Sequence, residues 1–416
     1  MDTYILIMLA IGLLLLVITL SSGWLNRLPL SYALIYLIAG IGLSPYGLNL
    51  IQVRPDAEFL ERLTEFVVLI SLFSCGLKIS CPLRHWNWNA TVRLIGGLMP
   101  LTIAAVAATA HYGLGMGWGG AVLLGAILAP TDPVLASDVQ LTSVNDRDTL
   151  RFGLTSEGGL NDALAFPFVY FGLHWIEDPK WHHWILEWTA VDLLWEIGAG
   201  IVMGVVVARI VAKTYQQLQR IRPSDEVMEV FVSLGTVLLV YSLTELAHGY
   251  GFIAVFVAGV VVQRTYDPEK QQVHLEFTET IEKLLEVGTI LLLGSLLRIE
   301  PMLRFLPQTL LIAGLLLFVI RPIGAWICTT GEGYRPIVRG LFGWFGIRGV
   351  GSIYYLTFAL GEGLEGGVGE QIAWITLSTI VLSVVLHGVT STPLMKWYER
   401  QTGRQQKRAR MSVRNQ

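Results

Sequence analysis

Between Tyr4 and Met395 the sequence is an almost unbroken succession of apolar segments, most of them close to the length that spans a bilayer. Backbone polar groups in hydrocarbon must be satisfied within their own segment, so runs like these fold as helices rather than open strands. Hydropathy sets about thirteen of them, near 4–20, 29–43, 63–79, 93–112, 118–138, 150–174, 190–212, 227–247, 250–264, 279–297, 305–328, 338–361 and 371–395. No gap between them is long enough for a soluble domain. Only 15% of residues are charged, against about 25% in soluble chains, and mean hydropathy is +0.57. A soluble enzyme and a disordered chain are excluded, and a net charge of −3 argues against nucleic acid as a partner. Cys75, Cys81 and Cys328 build no disulfide framework, and their spacing fits no zinc site. Tyr4–Leu20 lacks a basic leader and a clear cleavage site, and reads as a retained helix rather than a removed signal peptide. The expected fold class is an all-α polytopic membrane protein, with a membrane domain over 1–396 and a basic tail over 397–416.

Orientation follows from the basic residues. With the N-terminus outside, inner connections hold Arg27, Lys78, Arg84, Arg93, Arg147, Arg151, Arg209, Lys213, Arg220, Arg222, Arg264, Lys270, Arg335 and Arg339, and the stretch from Lys396 to Arg414 adds seven more. Outer connections hold Arg54, Arg62, Lys180, Arg298 and Arg304, a ratio of 21 to 5. An outside N-terminus and a cytoplasmic C-terminus are expected. The aromatic stretch His174–Trp195 reads as an interfacial belt.

Two spans are interrupted. The fifth contains Pro130-Thr131-Asp132-Pro133, where two prolines free backbone carbonyls beside a carboxylate. The twelfth contains Gly346-Ile347-Arg348-Gly349-Val350-Gly351. Interrupted helices at matching positions of two halves point to an inverted-repeat transporter, with repeats near 1–174 and 227–396 joined by a linker helix near 190–212. If the breaks cross, Asp132 and Arg348 offset the partial charges of helix ends that face one another.

The sixth span carries Glu157-Gly158-Gly159-Leu160-Asn161-Asp162. Glu157 and Asn161 share a helix face, and Asp162 lies about 100° further round. Ionisable groups in mid-membrane are functional candidates by default. Arg321, before Pro322, is the expected fixed partner of Glu157. Asp162 is left without an obvious permanent countercharge, so a proton or a metal cation must neutralise it. Proton and cation then compete for one group, which is the requirement for obligatory exchange. Elsewhere, Lys283 and Glu286 are expected to pair, Glu65, Glu245 and His248 to snorkel at span ends, and His387 to be hydrogen-bonded within its helix. No nucleotide-binding or HExxH metal pattern is present.

Thr131-Asp132-Pro133 with Glu157-Gly-Gly-Leu-Asn161-Asp162 resembles the NhaP-type sodium/proton antiporters of the cation:proton antiporter-1 family. Gly346-Ile-Arg348-Gly349, Arg321-Pro322, Gly251–Gly259, Val385–Thr390 and Pro29-Leu-Ser31 add to the likeness, which runs from about Leu28 to Leu394. The resemblance implies an elevator-type exchanger of thirteen helices, with two crossing broken helices as in the NhaA-like fold, acting as a homodimer without cofactors. It implies Asp162 as the carrying carboxylate, Thr131 as an oxygen donor, Asn161 as a steadying group, a Glu157–Arg321 pair, and Asp132 and Arg348 at the crossing. Many members have serine where this chain has Gly158, so one candidate oxygen is missing. Asn161 in place of a second aspartate resembles the electroneutral branch, implying one cation per proton. The expected function is exchange of Na⁺, with K⁺ or Li⁺ as alternatives, for H⁺ across a prokaryotic inner membrane. A gated channel or membrane sensor is the alternative, but no repeated filter groups recur. A lipid-modifying enzyme would need a reactive set near an interface, which is absent from the charged cluster.

Overall fold

The computed structural model describes residues 3–25, 31–51, 54–55, 58–80, 88–141, 146, 148–221, 226–364 and 366–414, with backbone alone at 3–4, 21–25, 138, 226–229, 268–269 and 403–414. Arg27, Leu28, Pro29, Cys81, Arg84, Arg147 and Arg222, used in the sequence reading, lie outside the described residues, as do the side chains of the tail beyond Thr402. Among the described residues the regular structure is helical throughout, without strands. Among the described residues each expected apolar segment falls mainly on helix, several of them divided between two or three helical elements. Among the described residues four helices are long and apolar enough to cross a membrane: Trp88–Leu114, Ile185–Ile221, Leu306–Cys328 and Gly366–Thr402. Six shorter apolar helices include Trp118–Leu128 and Val350–Gly361, each one half of an interrupted span.

Local chemistry explains where the helices start and widen. Ser31 caps Tyr32–Leu43, its hydroxyl accepting from Leu34 N at 3.4 Å. Asp148 caps Thr149–Ala163, its carboxylate accepting from the amides of Leu150 and Arg151 at 3.0 and 3.1 Å. π-helical turns at Leu94–Leu98 and Leu316–Ile320 directly precede Met99-Pro100 and Arg321-Pro322. A proline ring clashes with the carbonyl four residues earlier, which here is Gly96 or Phe318, and the wider turn relieves that clash.

The packing is inverted relative to a soluble protein. Leu9, Leu13, Leu16, Leu20, Ile210, Leu310, Phe318 and Ile327 face outward, while Asp132, Glu157, Asp162, Glu282, Arg321 and Arg348 are buried. Polar groups turned inward and aliphatic groups turned outward are what a lipid solvent selects. The helices Glu58–Lys78 and Gly251–Thr265 meet at Gly76 and Gly259, where a Cβ on Gly259 would lie 3.0 Å from Gly76 Cα. Small residues let the two backbones touch.

Two expectations are corrected, and one residue proves to be buried. The sixth span is not continuous: helix Thr149–Ala163 ends and a second, Phe166–Glu177, begins. Pro167 has no amide hydrogen to continue the ladder, so the chain breaks one residue after Asp162. Lys78, counted in the sequence among the inner basic residues, is buried, with Nζ 3.1 Å from Glu279 Oε1. Glu282, one turn further along Pro268–Leu296, is also buried and accepts from Ser71 at 2.9 Å. The last helix does not end near 395 but runs from Gly366 to Arg414, through Pro393 and into the basic tail.

Candidate functional site

The two interrupted spans cross. Trp118–Leu128 gives way to non-helical chain through Pro130–Pro133, and Pro336–Trp344 gives way to non-helical chain before Val350–Gly361. At the crossing Asp132 N donates to Ile347 O at 2.8 Å. Asp132 accepts from the amides of Val134 and Leu135 at 2.7 and 3.3 Å, and from Val350 N at the start of the opposite half-helix. Arg348 makes the complementary contacts, donating to the carbonyls of Ala129 and of Pro130, the latter at 2.6 Å. Its own amide donates to Ser383 Oγ at 2.9 Å. The acid therefore sits on amide groups at a helix N-terminus and the base on carbonyls at a helix C-terminus, each opposing the local dipole.

His387 fastens the second break from behind. Its Nε2 lies 2.9 Å from Trp344 O and its Nδ1 2.8 Å from Ser383 O. The ring is packed among carbonyls, away from the carboxylates.

Helix Thr149–Ala163 brings the remaining groups. Arg321 Nη1 and Nη2 donate to Glu157 Oε1 and Oε2 at 2.7 and 2.9 Å, a two-pronged ion pair with both side chains buried. Nη2 also reaches the carbonyls of Phe342 and Phe345 at 3.2 and 3.3 Å, tying the pair to the second break. Asn161 Nδ2 donates to Thr131 Oγ1 at 2.8 Å, which joins the cluster helix to the first break. Asp162 is 1% exposed, and among the described residues no ion pair reaches it and its Oδ1 has no hydrogen-bond partner. Its backbone carbonyl, freed by the break after Ala163, accepts from Tyr355 OH and from Ala165 N.

Three glycines of the second break each make room for one charged side chain. A Cβ on Gly346 would lie 3.1 Å from Arg321 Cζ, one on Gly349 2.9 Å from Asp132 Cγ, and one on Gly351 2.9 Å from both Asp162 Cγ and Oδ2. Those glycines allow the backbone to touch the charges directly.

Two cavities approach from opposite ends of helix Glu58–Lys78. One, of about 410 Å³, is lined by Lys78, Glu279, Lys283 and Glu286 and reaches Leu135 and Ser137 of the first break. The other, of about 280 Å³, is lined by Glu61, Glu65, Glu196, Glu245 and His248. The rise of the helix from Glu61 to Lys78 separates these two lining residues by about 25 Å. Glu65 and Glu245, read from the sequence as snorkelling ends, are tied down here, accepting from Tyr241 OH and from Gly251 N. An aromatic plug closes the floor of the acidic cavity. Phe166, four residues beyond Asp162, meets the rings of Tyr250, Phe252, Tyr354 and Tyr355 at centroid distances of 5.2 to 5.7 Å.

Sequence reasoning missed Lys78, Ser383, Tyr355, Phe166 and Gln140, a fully buried amide just beyond the first break. Ala165-Phe166-Pro167 was the available signal for the third break. Gln140 carried no signal, since Ser137-Asp138-Val139-Gln140 reads as the polar end of a span.

An all-helical membrane protein with buried carboxylates at crossed, interrupted helices belongs to the class of ion carriers. A model of the family described as "Sodium/hydrogen exchanger, transmembrane" matches residues 12–397, and the chain belongs to that family. It is similar to the K⁺/H⁺ antiporter NhaP of Alkalimonas amylolytica, 25% identical over 405 residues, covering 95% of this chain and 67% of that one. The K⁺/H⁺ antiporter NhaP2 of Shewanella oneidensis is 23% identical over 377 residues, covering 90% of this chain and 63% of the relative. The sodium proton antiporter MjNhaP1 of Methanocaldococcus jannaschii shares the fold, with a TM-score of 0.71 at 21% identity over 92% of this chain and 99% of that one. The NhaP-type resemblance carried by the motifs is borne out by these likenesses.

Proposed function

We propose that the protein exchanges a monovalent cation for protons across a prokaryotic inner membrane, with Asp162 as the group that binds either one. The observation that carries this reading is the state of Asp162. It is a buried carboxylate at a helix break, without an ion pair among the described residues and with one oxygen lacking a donor. A carboxylate in that setting is stable when neutralised, and a proton and a dehydrated Na⁺, K⁺ or Li⁺ are mutually exclusive ways to do it. Glu157 is balanced by Arg321, and Asp132 is held by backbone amides, which leaves Asp162 as the carboxylate without a fixed partner. One titrating group supports one cation per proton, an electroneutral exchange. Asn161 holds the Thr131 hydroxyl through Nδ2, and the hydroxyl and carbonyl oxygens of Thr131 are the oxygens offered to the ion.

The remaining architecture is read with the function. The chain forms about thirteen membrane helices in an inverted repeat, near 1–174 and 227–396 about a linker near 190–212, and works as an elevator in a homodimer. The N-terminus lies outside and the C-terminus in the cytoplasm, which makes the Lys78 cavity the inner entrance and the acidic cavity the outer one. The relatives named above, called K⁺/H⁺ and sodium proton antiporters, support exchange and leave Na⁺ and K⁺ as candidate cargo. Purified protein in liposomes with a preset pH gradient tests the proposal. Addition of Na⁺, K⁺ or Li⁺ should collapse the gradient without a change in membrane voltage, and indifference to all three cations refutes it.

A further inference from the structure

The exchange site contains a polar side chain that neither the motifs nor the crossing accounts for. Gln140 follows the short turn Ser137–Val139, is 0% exposed, and has no hydrogen-bond partner for either Oε1 or Nε2 among the described residues. Leaving both ends of a buried carboxamide unsatisfied costs several times what one ordinary hydrogen bond returns, so such a group needs a reason. Its surroundings supply one. A Cβ built on Gly158 would lie 3.5 Å from Gln140 Nε2, 3.4 Å from the Thr131 carbonyl oxygen and 3.4 Å from Pro133 Cβ. The amide, the Thr131 carbonyl and the bare face of Gly158 therefore meet at one place. Gly158 is four residues before Asp162 in the same helix, so that place is one turn along the face from the carboxylate.

Two more buried oxygens nearby also lack donors, Asn161 Oδ1 and Asp162 Oδ1. Oxygens shielded from water and free of competing donors suit a hard, dehydrated cation. The carboxamide of Gln140 turns about its last side-chain bond through a broad, nearly two-fold torsion, which exchanges Nε2 and Oε1 toward the Thr131 carbonyl.

We propose that Gln140 is a ligand of the transported cation, its carboxamide oxygen supplying the contact that Gly158, lacking a side chain, does not. This inference rests on Asp162 being the exchanging carboxylate. When a proton occupies Asp162, the amide turns Nε2 toward the Thr131 carbonyl. When a cation occupies the site, Oε1 faces it. The same side chain serves both halves of the cycle and contributes to the choice between Na⁺ and K⁺.

The test uses the full chain in liposomes and in detergent, with NaCl and KCl as probes, and reads both the apparent KM of exchange and calorimetric cation binding. Gln140→Leu should fold, bind the coupling cation more weakly and raise its apparent KM at least about tenfold, the effect of losing one oxygen contact. Gly158→Ser in the Gln140→Leu background returns a hydroxyl oxygen to the same spot and should restore the KM to within about threefold of wild type. If Gln140→Leu does not fold, Gln140→Asn withdraws the same amide by one methylene and should raise the KM in the same direction. A wild-type KM in the folded variant overturns the proposal. So does a raised KM that Gly158→Ser fails to restore, since a packing defect would not respond to a single hydroxyl. Asp162→Asn separates the two levels. Lost binding there with unchanged binding in Gln140→Leu defeats the Gln140 assignment alone, whereas wild-type binding in Asp162→Asn defeats the exchange site and Gln140 with it.

Discussion

Replacing Arg321 by Met removes one half of the Glu157 pair while keeping a long side chain in the space. Glu157, 2% exposed, then loses its donors at 2.7 and 2.9 Å, and the carbonyls of Phe342 and Phe345 lose theirs at 3.2 and 3.3 Å. Breaking a buried pair by removing one partner costs about 3–5 kcal/mol, because a charge is left buried without compensation. Most of that cost is the charge, so neutralising it should return much of the loss. The expected values are a destabilisation of about 4 kcal/mol for Arg321→Met and a recovery of at least about 2 kcal/mol in Arg321→Met/Glu157→Gln. Equilibrium unfolding in mixed micelles, followed by fluorescence of the 13 tryptophans, measures both. A single-variant cost below about 1 kcal/mol, or a double variant no more stable than the single one, refutes the reasoning.

Two further substitutions follow from packing. Gly351→Ala forces a methyl against Asp162, 2.9 Å from Cγ, so it should abolish exchange while costing about 1–3 kcal/mol, whereas Gly314→Ala, with open space around it, should exchange as wild type does; liposome flux and unfolding of the two variants decide it. Phe166→Ala removes the ring at the centre of the aromatic plug and should let cation flow downhill without a counter-proton, at least about tenfold faster than in wild type, as read by isotope uptake with no pH gradient; tight coupling in this variant removes the plug from the account.

Much of the architecture is legible in the sequence because lipid leaves so few solutions. Apolar runs become helices, and the charges that interrupt them stand out. Pro130, Pro133 and Gly346–Gly351 mark breaks by removing amide hydrogens or side chains, and the structure has both breaks at those residues. Asp132, Glu157, Asp162, Arg321 and Arg348 are conspicuous for the same reason. What the sequence hides depends on three-dimensional packing. Lys78 counts toward a positive-inside flank, and nothing in the sequence announces that helix Pro268–Leu296 lays Glu279 against it. Pro167 looks like one more proline until it proves to end the helix just beyond Asp162. Gln140 looks like the polar margin of a span until the cluster helix covers it. The three glycines of the second break read as flexibility, yet what they provide is room for Arg321, Asp132 and Asp162.

Competition at one carboxylate has a thermodynamic signature that flux alone does not give. Cation binding to the detergent-solubilised protein can be measured by calorimetry in buffers of different ionisation enthalpy, which counts the protons released for each ion bound. The expected result is close to one proton per cation at acidic pH, falling toward none as pH rises, with no cation-linked release in Asp162→Asn. Cation binding that releases no proton at any pH, or that releases the same number from Asp162→Asn, contradicts the exchange of proton for cation on Asp162.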